Sequence, residues 1–158
     1  MSQNATIKKF LSVFLLLSII TFLHSCTRTN NLNAEGYMFY TMNEYGVKEQ
    51  QSDAKFEKGQ TILLYLLNVG QFAANTDKQF DVNMDVEIIY GKRKRIFKKE
   101  NYMGKQDVTF ERDTIPYLYA IWQAGPLNET GEYAFKITVK DMVSGDKSIF
   151  KPKFTIIE

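Results

Sequence analysis

A chain of 158 residues, 44% apolar and 14% aromatic, can bury one core without a metal or disulfide staple, and nothing in its length calls for a second domain. Its single cysteine excludes an internal disulfide, and its single histidine leaves little for a histidine relay or a zinc site. The formal charge of +2 is too small to name an acidic partner.

Lys8 and Lys9 precede an apolar run over residues 10–23, and small or polar residues then lead to Cys26. This is the order of the charged, greasy and cleavable regions of a secretory signal. The 14 residues of the run would rise only about 21 Å as a helix, against about 30 Å of hydrocarbon. Residues 1–25 are therefore expected to be cleaved, the competing readings being an ordinary cleavage site beside a stray thiol and an uncleaved anchor. The 158 residues less the 25 before Cys26 leave 133, with His24 gone and no free thiol once Cys26 is modified. Lys8 and Lys9 leave too, so 20 basic residues fall to 18 and match the 18 acids.

Leu23-His24-Ser25-Cys26 resembles the bacterial lipobox, with His24 where a small residue is usual. The resemblance implies a diacylglyceryl group on Cys26, and two or three acyl chains hold a protein at a bilayer almost permanently. Residues 26–36, polar and rich in asparagine, are expected to tether a domain over residues 37–158.

Along that domain the dominant period is two, which returns strand side chains to one face. Phe80, Val82, Met84, Val86 and Ile88 alternate with Asp81, Asn83, Asp85 and Glu87. Tyr133, Phe135, Ile137 and Val139 repeat the pattern between Gly131 and Asp141, and the turn Ser144-Gly145-Asp146-Lys147 predicts a hairpin into Phe150, Pro152, Phe154 and Ile156. Pro152 lacks an amide donor and places this strand at an edge or on a bulge. Residues 61–69 are apolar almost throughout between Gly59 and Gly70; a strand buried on both faces is preferred over a short helix. Residues 37–41, 94–99, 108–112 and 118–122 complete about seven to eight strands, an all-β antiparallel sandwich. Gly131-Glu132-Tyr133 and the alternation after it resemble the penultimate strand of immunoglobulin-like domains, including the tyrosine at its corner, although the paired cysteines are absent. With its leader, the chain resembles the small sandwich lipoproteins of Bacteroidota.

Four groups of residues are candidates for chemistry. Lys92, Arg93, Lys94 and Arg95, with Lys98 and Lys99, form a basic hairpin that could grip an anionic glycan or lipid phosphates; the plainer reading is a charged strand that discourages edge pairing. Asp81, Asn83 and Asp85 suggest a calcium loop, but Val86 and Lys92 stand where glycine and glutamate are needed, so no metal is expected. Tyr117 and Tyr119 are candidate aromatic contacts, while Trp122 is expected in the core. Asp113-Thr114-Ile115 resembles the three-residue O-glycosylation signal of exported Bacteroidota proteins, which would place a glycan on Thr114.

Once residues 1–25 are removed and Cys26 is modified, catalysis has few tools: no histidine, no thiolate, and only carboxylate pairs for a hydrolase. The expectation is a noncatalytic envelope protein without cofactor that binds a protein partner or stabilises an assembly, through edge strands or end loops. The alternative is a glycan- or anionic-lipid-binding module using the basic hairpin, and after it a carboxylate-based hydrolase. Nucleic acid is not expected as a partner, because an exported neutral domain rarely meets it. Thr27, Arg28 and Thr29 follow Cys26 with no acid before Glu35. Surface-exported lipoproteins of Bacteroidota carry an acidic signal there, so the resemblance implies the outer membrane with the domain facing the periplasm.

Overall fold

The computed structural model describes residues 32–103 and 114–158. The leader, His24, Cys26 and the strand expected over 108–112 lie outside the described residues. Ten strands follow in order: β1 (Gly36–Met42), β2 (Lys48–Gln50), β3 (Lys55–Glu57), β4 (Thr61–Gly70), β5 (Val82–Tyr90), β6 (Lys94–Lys99), β7 (Thr114–Gln123), β8 (Gly131–Asp141), β9 (Lys147–Phe150) and β10 (Lys153–Ile157). They form a four-stranded sheet in the order β2-β1-β4-β7 and a larger sheet in the order β3-β10-β8-β5-β6, with β9 also paired to β8.

Alternation produces the interior. Val82, Met84, Val86 and Ile88 of β5 are buried, as are Tyr133, Phe135, Ile137 and Val139 of β8, and the two strands pair from Val82↔Asp141 to Tyr90↔Tyr133. From the other sheet come Phe39, Ile62, Leu64, Leu66, Leu118, Ala120 and Trp122. Aromatic rings dominate the centre, where Phe154 lies 5.3 Å from Phe135, 5.6 Å from Tyr133 and 6.0 Å from Trp122. Burying one such side chain contributes roughly 2–3 kcal/mol. The Tyr133 hydroxyl donates to the Glu129 carbonyl four residues upstream, which is the tyrosine corner of an immunoglobulin-like sandwich. The chain is an all-β sandwich.

Several expectations need correction in detail. Among the described residues there are ten strands rather than seven to eight: β2 and β3 are three-residue strands with no alternation to reveal them, and the last expected strand splits into β9 and β10. Pro152 sits at that split with its carbonyl accepting from the Phe135 amide at 3.0 Å. The sheets are not antiparallel throughout, since β3 runs parallel to β10. The folded body starts before residue 37: Leu32 is buried in the core and Asn33 exchanges backbone hydrogen bonds with Gly70. The run at 61–69 is a strand but is covered on both faces only in part. Ile62, Leu64 and Leu66 point inward, Leu63 is buried on the opposite side, Tyr65 and Leu67 are half-buried and Asn68 is exposed. Asn68 has a left-handed φ of 45°, and beyond it Val69 turns back into the core.

Candidate functional site

The outward positions of the four-stranded sheet collect its aromatic side chains. Register places Met38 beside Tyr65 and Tyr65 beside Tyr119; the next row is Tyr40, Leu63 and Ile121, and the row before is Gly36, Leu67 and Tyr117. Tyr65 is the hub, with ring centroids 5.3 Å from Tyr40, 5.6 Å from Tyr117 and 5.8 Å from Tyr119. Tyr117 is 55% exposed and Tyr119 48%. Lys48 of β2 reaches across the face, its Nζ donating to the Tyr65 hydroxyl at 2.6 Å and lying 5.3 Å from that ring's centroid. That hydrogen bond, chiefly, raises the Lys48 pKa. At the β7 side a cleft of about 420 Å³ is lined by Met84, Tyr102, Met103 and residues 115–119. Trp122 is buried between the sheets, as expected.

The basic hairpin is largely committed within the fold. β6 is an edge strand paired only with β5, and Gly91, with φ of 58°, makes the turn before Lys92 and Arg93. Lys94 reaches Glu129 at 2.8 Å, Arg95 reaches Glu87 at 3.4 Å, Lys98 pairs with Glu100, and Lys99 lies 5.2 Å from the centroid of the Tyr102 ring. Lys94 holds the Glu129 carboxyl below its ordinary pKa. Among the described residues only Lys92 and Arg93 of this cluster have no ion pair or ring contact.

Asp85 and Glu87 lie on the outward face of the larger sheet. Burial pushes the Asp85 pKa up, but hydrogen bonds from Lys140 at 2.7 Å and the Asn101 amide at 3.0 Å outweigh it and hold the group low. Glu87 is held low by Lys136 at 2.7 Å, against burial and with help from Arg95. Asp141 is the one buried charged residue described. Burial raises its pKa, and the amides of Ala73, Ser144 and Val143 more than reverse that. Its carboxylate thereby fastens the loop after β4 to the turn after β8.

Thr114 opens β7, half-buried and packed on Gly70, where an added Cβ would meet its Oγ1 at 2.7 Å. Asp113 and Cys26 lie outside the described residues.

No known protein family and no curated protein matches this chain.

Two of the candidate groups thus lie apart. Tyr117 and Tyr119 join a larger aromatic face, while the basic cluster lies at another edge and is mostly paired. Sequence reading missed Met38, Tyr40, Leu63, Tyr65, Leu67 and Ile121. Tyr65, a phenol inside an otherwise aliphatic run, was the available signal, but only strand register aligns it with Tyr119.

Proposed function

We propose that this chain is a noncatalytic, lipid-anchored envelope protein, held through Cys26 at the outer membrane and facing the periplasm, that binds a protein partner on the outward face of its four-stranded sheet. The carrying observation is the tyrosine, methionine and leucine face centred on Tyr65. Interface centres are enriched in tyrosine and methionine and depleted in charge. Tyrosine also supplies large contact area while only two torsions are immobilised. Tyr65 meets Tyr40 at 75° and Tyr117 at 62°; such edge-on rings suit interdigitating side chains better than the flat face of a sugar.

The glycan- or anionic-lipid alternative rests on Lys92 and Arg93, because the other cations of that hairpin already have partners. A carboxylate-based hydrolase would require an acid whose pKa is raised. Asp85, Glu87, Glu129 and Asp141 are all displaced downward.

The test is a photo-crosslinking residue placed at Tyr119 and, in a second variant, at Thr138 on the opposite face, in intact cells. One discrete adduct from position 119, absent from position 138 and lost with Tyr65→Ser in a chain that remains folded, is the expected result. Identical adducts from both faces would overturn the docking surface.

A further inference from the structure

The length of chain between anchor and fold determines which end of the sandwich can meet the bilayer. Leu32 and Asn33 are pinned at one end: the Leu32 carbonyl accepts from the Ser148 hydroxyl, and Asn33 pairs with Gly70, where β4 finishes. The same end holds the close of β8 at Asp141 and the start of β5 at Val82. Six residue steps separate Leu32 from Cys26, at most about 20 Å of extended chain. β8 has 11 residues, about 35 Å of strand. With the opposite end against lipid and the strands upright, the tether would be too short.

The anchored end carries apolar side chains turned outward. In the turn after β8, Met142 is 52% exposed and Val143 37%. Hydrogen bonds brace the turn: Asp141 accepts from the amides of Val143 and Ser144, and the Met142 amide donates to the Asp81 carbonyl at 2.8 Å. The loops at this end carry Asp77, Lys78, Asp81, Asp146 and Lys147, charges of both signs, so no single-sign field opposes approach to a zwitterionic lipid surface. At the opposite end lie Gly91, Lys92 and Arg93, and also Tyr45 and Leu127, 82% and 96% exposed.

We infer that the turn between β8 and β9 is a lipid-contacting surface, with Met142 and Val143 entering the headgroup region of the membrane that holds the anchor. The inference rests on the reading that Cys26 is acylated. The strands then stand away from the bilayer, and the Lys92 and Arg93 tip lies about 35 Å from the contact, out of reach of phosphates in that membrane. The aromatic face is left open sideways to a partner.

The experiment uses the full-length chain in its own membranes, with Met142→Cys or Leu127→Cys as the only free thiol once Cys26 is acylated. Each is labelled with a polarity-sensitive fluorophore and exposed to a quencher carried on lipid. A probe seated about 5–10 Å into the interface should be quenched by the lipid-borne quencher more than one held in water, so quenching at position 142 should exceed that at position 127 and its emission should lie further to the blue. Equal quenching at the two positions, or stronger quenching at 127, overturns the inference while leaving the anchor intact. A free thiol at Cys26 with the protein released from the membrane overturns the anchored reading instead, so the two failures are distinguishable.

Discussion

On the larger sheet the outward positions of β5 and β8 read Asn83, Asp85 and Glu87 against Lys136, Thr138 and Lys140, tied by ion pairs at 2.7 Å. On the four-stranded sheet the corresponding positions of β1, β4 and β7 read Met38 and Tyr40, Leu63 and Tyr65, Tyr117 and Tyr119. Both faces arise from the same period of two and cover the same core. They differ in what it costs to take them out of water. An ion-paired lattice loses several kcal/mol per ion on desolvation unless a partner replaces its solvent, whereas a tyrosine ring gives up water readily and its hydroxyl needs only one new partner. One surface is finished by its own pairings; the other gains from being covered.

The interior that both faces share should show the largest effect. Phe135→Ala should lower unfolding free energy by about 4 kcal/mol in denaturant titration, and a loss below 1 kcal/mol would mean that the sheets do not close on this ring. Next comes the clamp at the end where Leu32 enters: Asp141→Ala leaves the amides of Ala73, Val143 and Ser144 without their acceptor and should cost about 3 kcal/mol. Because the folded pKa of Asp141 is depressed, its stabilisation is present above the unfolded aspartate value and lost as pH falls through the folded one. The gap between native protein and variant should accordingly narrow below about pH 4, and a gap that widens on acidification would refute the clamp.

The charged face should respond more weakly. Glu87→Ala removes the partner of both Lys136 and Arg95, and about 1 kcal/mol is expected, shrinking in high salt; insensitivity to salt would count against the ion-paired account. The aromatic face should respond least in stability and most in binding. Tyr117→Ser should change unfolding free energy by no more than about 0.5 kcal/mol, yet abolish the adduct formed from position 119. Retention of the adduct at full yield would erase the contrast between the faces.

Much of the frame was readable from local pattern. Alternation located β5 and β8, Gly145 marked the hairpin turn, and Gly131-Glu132-Tyr133 located the corner, whereas Pro152, read as an edge or bulge within one strand, stands where the chain breaks into β9 and β10. These are contacts within a few residues or consequences of one residue's backbone chemistry. β2 and β3 escaped because three-residue strands exist only through the neighbour that pairs with them. The fate of the basic cluster escaped for a similar reason: Glu129, which engages Lys94, lies 35 residues along the chain.

Sequence alone determined a neutral all-β domain behind a leader-like segment, with one greasy side to each principal strand, since period and composition are properties of neighbouring residues. Only the tertiary structure decided that Tyr65 lies between Met38 and Tyr119, that Lys94, Arg95 and Lys98 are already engaged, and that Leu32 enters beside the Asp141 turn. Strand register and the choice of sheet bring distant residues together, and no local pattern specifies either.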